Sequence, residues 1–171
     1  MDVILHSNSA RETKAWGRRL GSLLEGGELL ALTGDLGAGK TCFVKGVAKG
    51  LSLREEEILS PTFTIIQEHR GRLPLYHIDL YRLETVEVEE LGLREYLFST
   101  AIAAVEWFER LREAAELDCL EIKIVLEGAN RRRIELRAKG APYVAVLERL
   151  EQCFVASGSQ APYPSSCAKI G

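Results

Sequence analysis

Leu29-Leu30-Ala31-Leu32-Thr33-Gly34-Asp35-Leu36-Gly37-Ala38-Gly39-Lys40-Thr41 is the stretch that decides the fold: an unbroken apolar run gives way to a glycine-rich turn and a lysine. Four consecutive apolar residues with no polar alternation read as a strand buried on both faces, the pattern of a mostly parallel sheet. From Gly34 to Thr41 the turn is a complete G-x-x-x-x-G-K-[ST]. Behind it Phe43, Val44 and Val47 recur at helical spacing, and Gly50 supplies a stop. The glycines let successive backbone N–H groups turn inward on phosphate oxygens, and the start of the following helix adds the positive end of its dipole. Asp35, Leu36, Gly37, Ala38, Gly39, Lys40, Thr41 and Cys42 are therefore the expected nucleotide cradle. Lys40 is expected on the β- and γ-phosphates and the Thr41 hydroxyl on Mg²⁺, which makes ATP and Mg²⁺ the expected ligands.

A phosphate loop that serves phosphoryl transfer also needs an acid near the metal, and two positions qualify. Glu106 ends the apolar run Ala101 to Val105, a hydrophobic strand closed by a carboxylate. Asp79 lies in the β-rich run Leu75-Tyr76-His77-Ile78-Asp79-Leu80-Tyr81. Either carboxylate suits the Mg²⁺ shell or the orientation of water, so Asp79, Glu106 and Lys40 are the candidate catalytic residues and Thr41, Glu106 and Asp79 the candidate metal ligands. The structural alternatives are a solvated strand end for Glu106 and a hairpin acid paired with Arg82 for Asp79. Ser60 and Thr62 fall in the loop after the first phosphate-site helix, where nucleotide-sensing switches hold a hydroxyl near the γ-phosphate; an ordinary loop is the equal alternative. Trp107 reads as a core anchor slightly before a surface contact.

Other chemistries fit less well. A dinucleotide-binding G-x-G-x-x-G fails because Cys42 occupies the third glycine position, and no guanine-reading N-K-x-D string occurs. His6, His69 and His77 are scattered and read as ordinary surface or sheet histidines. Arg131, Arg132 and Arg133 read as a solvated hairpin tip, with an RNA or nucleotide contact as the lesser reading.

Outward from the loop, Asp2 to His6 predicts a strand, and Ser9 with Glu12 has capping-box spacing ahead of a helix carrying Trp16, Leu20, Leu23 and Leu24. Thr62–Glu68 and Leu73–Leu83, separated by Arg70-Gly71-Arg72, predict one antiparallel hairpin; Leu120–Leu126 and Ile134–Ala138 predict another. Glu84–Phe98 predicts an acid-rich helix, and Ala141–Phe154 a last helix. From Ala156 onward Ser, Gly, Pro and Ala dominate, so residues 1–155 form the expected domain and 156–171 a loosely ordered tail.

Composition narrows the classes further. The 171 residues hold 22 Lys plus Arg against 25 Asp plus Glu, a net charge of −3, and 46% are hydrophobic. This suits one α/β domain and argues against a binder held to nucleic acid by clustered basic residues. Apolar runs fall far short of the roughly 20 residues of a membrane span. The start of the chain lacks a basic and apolar leader, so the expectation is a soluble cytoplasmic protein. Cys42, Cys119, Cys153 and Cys167 contain no C-x-x-C pair, and reduced thiols fit that compartment.

Gly34 to Thr41, read together with Ser60-Pro61-Thr62-Phe63, His77-Ile78-Asp79-Leu80-Tyr81-Arg82 and Val105-Glu106-Trp107, resembles the bacterial TsaE (YjeE) family over roughly residues 3–150. The resemblance implies a small P-loop ATPase required for threonylcarbamoyl-adenosine modification of tRNA next to the anticodon. It implies TsaD and TsaB as partners, with ATP hydrolysis supporting turnover of their complex and tRNA contacted indirectly or weakly. It further implies that Lys40 and Thr41 serve ATP and Mg²⁺, that Asp79 and Glu106 complete the metal and water site, that Ser60 to Phe63 is switch-like, and that Trp107 lies beside the site.

The expected architecture is a P-loop NTPase-like three-layer α/β sandwich with a mixed, mainly parallel central sheet and added β-hairpins, monomeric or weakly oligomeric when alone. A small-molecule kinase and a non-enzymatic, nucleotide-switched binding module are the competing functions.

Overall fold

Local chemistry starts the first helix where the sequence places its cap. Ser9 Oγ accepts the Glu12 N–H at 3.2 Å, while the Glu12 carboxylate accepts the Asn8 N–H at 2.8 Å. These bonds satisfy amide donors that a helix start leaves open. The computed structural model describes residues 1–59, 61, 65–157 and 163–164. Its strands are β1 (Asp2–Ser7), β2 (Leu29–Thr33), β3 (Ile66–His69), β4 (Leu75–Asp79), β5 (Ile102–Glu106), β6 (Cys119–Leu126), β7 (Arg132–Lys139) and β8 (Tyr163–Pro164). The helices are α1 (Ala10–Leu23), α2 (Lys40–Gly50), α3 (Arg94–Leu97) and α4 (Ala141–Ser157).

All the strands belong to one sheet in the order β3-β4-β5-β2-β6-β7-β1-β8. The centre, β4-β5-β2-β6, is parallel, and β3 and β7 add antiparallel partners through the two hairpins. In β2 the side chains alternate between two cores. Leu30 and Leu32 pack with Leu20 of α1 and Leu24 just after it, Phe43 and Val47 of α2, and Leu147 and Leu150 of α4. Leu29 and Ala31 pack with Val86, Leu93, Leu97 and Phe108 on the opposite face. Two apolar faces on one strand explain its unbroken hydrophobic sequence and produce the three layers.

Helices α1 and α2 approach closely because glycines line their contact. A Cβ at Gly17 would stand 2.2 Å from the Phe43 carbonyl oxygen, and one at Gly46 would stand 2.2 Å from that of Lys14. Gly21 and Gly50, one turn further along each helix, are equally tight. This contact seats α2, whose first residues are Lys40 and Thr41.

Four expected elements differ in extent. The helix expected over Glu84–Phe98 is a single turn, Arg94–Leu97. Thr85, Val86 and Val88 are β-branched, Val86 bridges Leu111, and Gly92 stands at φ +62°, so the chain before Arg94 is a bridge followed by turns. The strand expected from Thr62 begins at Ile66, after Ile65 at φ +66°; Thr62 itself lies outside the described residues. The run Leu73–Leu83 is a strand only from Leu75 to Asp79, because Leu80 to Leu83 turn, with the Leu83 N–H donating to the Leu80 carbonyl at 3.0 Å. The last helix extends to Ser157, and the expected tail falls mostly outside the described residues.

Candidate nucleotide site

Parallel strands end together, and here β2, β4 and β5 end beside the glycine turn. Asp79 is in register with Glu106, and Glu106 with Leu32, the residue before Thr33 and Gly34. Crevices at the carboxyl ends of parallel strands are where open α/β sheets bind ligands. The loop carries Gly34, Gly37 and Gly39 at φ +132°, +79° and +114°, a left-handed series that side-chain-bearing residues rarely adopt. Gly39 is the N-cap of α2, with no side chain over the helix end, so backbone amides face the crevice mouth.

Lys40 is 4% exposed. Its Nζ donates to the carbonyls of Gly34 at 2.6 Å and Asp35 at 3.0 Å and lies 4.0 Å from the centre of the Trp107 ring. Burial pushes the Lys40 pKa below its ordinary value, opposed by the nearby carboxylates of Glu106, Glu109, Asp79 and Asp35. An anion in the crevice restores what burial removes, since a nearby negative charge favours the ammonium form.

Thr41 and Glu106, 65 positions apart, meet directly: the Thr41 hydroxyl donates to the Glu106 carboxylate, with oxygen separations of 2.8 and 3.0 Å. The same carboxylate lies 2.8 Å from His77 Nε2, and His77 is fully buried. Glu106 therefore accepts from Nε2–H, and His77 Nδ1 has no hydrogen-bond partner among the described residues. Asp79 Oδ1 accepts the Tyr81 N–H at 2.9 Å, which holds the turn leaving β4 over the crevice. The Tyr81 and Trp107 rings pack at 5.1 Å with a 44° tilt between them, and the Arg110 guanidinium lies 5.3 Å from the indole centre. Trp107 sits at φ +59°. A bulky residue in that region costs of order 1–3 kcal/mol, and such strain concentrates at functional sites.

A cavity of about 250 Å³ remains between the loop, Lys40, Thr41, Asp79, Glu106 and Trp107. Larger clefts of about 560 and 820 Å³ lie elsewhere, and neither is lined by residues 34–41. Among the described residues no group of three or more His, Cys, Asp or Glu side chains converges as a protein cage for a metal. One hydroxyl beside two carboxylates, all hard oxygen donors, instead fits Mg²⁺, which takes one or two carboxylates and completes its shell with phosphates and water.

Of the residues singled out in the sequence, Asp35, Leu36, Gly37, Ala38, Gly39, Lys40 and Thr41 form the loop and helix start, and Asp79 and Glu106 come together beside them. Cys42 lies on α2 at the cavity wall, with its thiol donating to the Ala10 carbonyl at 3.3 Å. Thr62 lies outside the described residues. Trp107 is half-buried over Lys40, so its place is at the site rather than in the core interior. Sequence reasoning missed His77. The signal was present in His77-Ile78-Asp79, because strand alternation puts both side chains on one face beside Glu106. It also missed Arg132, which is not a solvated tip residue: its Nε donates to the Ala38 carbonyl at 3.0 Å.

Sheet, loop and site together define a P-loop-like α/β protein. Residues 7–134 match the family model described as "Threonylcarbamoyl adenosine biosynthesis protein TsaE". The chain is 46% identical over 129 residues to the tRNA threonylcarbamoyladenosine biosynthesis protein TsaE of Treponema pallidum (strain Nichols), a match covering 73% of this chain and 93% of that one. It is 43% identical over 142 residues to the TsaE of Bacillus subtilis (strain 168), covering 82% and 89%. The crystal structure of Bacillus subtilis YdiB superposes with a TM-score of 0.76 at 35% identity, covering 90% of this chain and 96% of that one. The chain belongs to the TsaE family. Among the described residues no helix is long and apolar enough to cross a membrane.

Proposed function

We propose that the protein is a Mg²⁺-dependent ATPase that supports threonylcarbamoyl-adenosine modification of tRNA next to the anticodon by sustaining turnover of a TsaD–TsaB complex, acting in the cytoplasm. The observation that carries the ATPase reading is the meeting of the Thr41 hydroxyl and the Glu106 carboxylate at 2.8 Å beside Lys40. A hydroxyl and an acid joined across the sheet end, next to a lysine on a glycine loop, are the parts phosphoryl transfer requires. The partner reading is supported by family membership.

In this reading the loop amides and Lys40 bind the phosphates, with Lys40 exchanging its two carbonyl acceptors for phosphate oxygens. Thr41, Glu106 and Asp79 would hold Mg²⁺, which neutralises charge developing on the β- and γ-oxygens. Glu106, kept in place by His77, is positioned to accept a proton from an attacking water. Trp107 and Tyr81 shield the phosphate end from bulk solvent.

The test is phosphate release from ATP and Mg²⁺ by the purified chain, alone and with TsaD, TsaB and tRNA, with Lys40→Ala and Asp79→Ala as controls. Stimulation by the mixture that both variants lose is the expected result. Turnover unchanged in the variants overturns the site assignment. Partner-independent transfer to a small acceptor would make the protein a kinase, and binding without turnover in any mixture would make it a nucleotide-gated binding module.

A further inference from the structure

The phosphate loop is braced from outside by the β6–β7 hairpin. A Cβ at Gly34 would stand 2.3 Å from the Ile124 carbonyl oxygen, so the loop begins pressed against β6. Near its other end Arg132, 94 positions from Ala38, donates its Nε–H to the Ala38 carbonyl at 3.0 Å. The side chain lies flat on the loop: a Cβ at Gly39 would be 3.1 Å from Arg132 Nε and 3.4 Å from its Cδ. Arg132 is itself held, its Nη1 donating to the Asn130 carbonyl at 3.2 Å, within a turn closed by the Glu127 N–H on the Arg131 carbonyl at 2.9 Å. Between these two braces the loop is held from within, the Ala38 N–H and Lys40 Nζ both donating to the Asp35 carbonyl at 3.1 and 3.0 Å, while Leu36 and Gly37 face outward. Leu36 is 69% exposed, and a Cβ at Gly37 would meet nothing within 4 Å.

We propose that Arg132 is a positioning residue for the phosphate loop: by holding the Ala38 carbonyl it aims the Gly39 N–H into the crevice. The Ala38–Gly39 peptide is trans, and in a planar trans peptide the carbonyl and the N–H point in opposite directions. A carbonyl turned outward onto Arg132 therefore turns the next amide away from the hairpin. The neighbouring glycines permit many other orientations, so an unbraced loop must be ordered when ligand binds, at a cost in affinity. The inference rests on the reading of Gly34–Thr41 as a phosphate site, and its ligand class is any polyphosphate that uses the loop amides.

The test compares Arg132→Ala and Arg132→Lys with the unaltered chain by calorimetric titration with ATP, ADP and inorganic triphosphate in Mg²⁺. It adds hydrogen exchange of the loop amides without ligand and a urea midpoint as the folding control. Lysine keeps the charge but lacks the Nε–H of the guanidinium fork. The expected result is a loss of about tenfold in affinity, the size of one hydrogen bond to a charged group, of similar factor for all three ligands and in both variants. Loop exchange should rise while the urea midpoint holds. Affinities within twofold of the unaltered chain overturn the proposal, as does a loss confined to ATP or full rescue by lysine, either of which would assign Arg132 a direct charge contact. If Arg132→Ala fails to fold, the milder Arg132→Lys decides by the same criteria. If the unaltered chain binds none of the ligands, the phosphate-site reading fails, while loop exchange still judges the brace.

Discussion

Gly46→Ala is a sharp test of the packing that seats the phosphate-site helix, because two effects of opposite sign compete. Alanine in a helix interior is favoured over glycine by about 1 kcal/mol, so propensity alone raises stability. Against this, the new Cβ would stand 2.2 Å from the Lys14 carbonyl oxygen and would be in ordinary contact only at 3.4 Å. The obstacle is backbone of α1, which cannot rotate aside, so the helices must part by about 1.2 Å. Overpacking of this kind costs about 1–3 kcal/mol, and backbone against backbone belongs at the upper end. The expected net loss is about 1–2 kcal/mol, or roughly 2–8 °C in Tm for a domain of this size. Urea unfolding followed by circular dichroism reads it as a lower midpoint at unchanged slope. Gly17→Ala, on the facing helix and 2.2 Å from the Phe43 carbonyl oxygen, should behave alike, and the double variant should lose less than the two losses added, because helices already parted accept the second methyl. An unchanged or raised midpoint for Gly46→Ala would refute the reasoning and leave propensity as the deciding effect.

Other tests address the site and the core. Trp16→Phe leaves Trp107 as the remaining tryptophan, and saturating ATP should change its emission as Lys40 leaves the indole; unchanged emission on binding counts against that movement. His77→Leu strips the buried Glu106 carboxylate of its ring partner and should cost about 1–3 kcal/mol in urea unfolding, with His77→Gln losing less; equal losses would deny the hydrogen bond a role. Burial pushes the Cys119 thiol up to about 12 from an ordinary value of 9.0, with Glu121 adding to the rise and Lys139 opposing it. Above pH 9 the unfolded chain releases that proton while the folded chain keeps it, so its contribution to stability is intact below pH 9 and is lost progressively as pH rises from 9 toward 12. Cys119→Ala should flatten the alkaline fall in unfolding midpoint, and at pH 8 a thiol reagent should label exposed Cys153 in the folded protein while sparing Cys119.

Much of the architecture was legible because its causes are local. Leu29–Leu32 announced a strand buried on both faces, Ser9 and Glu12 announced a helix start, and both hairpins appeared as paired β-rich runs around a turn. Glu84–Phe98 misled because acidic residues and scattered apolar ones mimic a helical face, whereas Val86 is claimed by Leu111 across the chain. His77 was passed over as an ordinary sheet histidine because its meaning depends on which strand lies beside β4.

The sequence by itself determined the glycine-rich loop, and with it the candidate phosphate and metal groups, since turn, glycines, lysine and helix start are contiguous and need no distant residue. It also marked Asp79 and Glu106 as strand-end acids. Only the tertiary structure decided that Glu106 meets Thr41 and His77, that Trp107 covers Lys40, and that Arg132 grips the Ala38 carbonyl. These contacts follow from the strand order β4-β5-β2-β6-β7, which brings residues from 29 to 94 positions apart to one end of the strands. Strand order is settled by how the whole chain buries its two apolar faces at once, and no local pattern of residues encodes it.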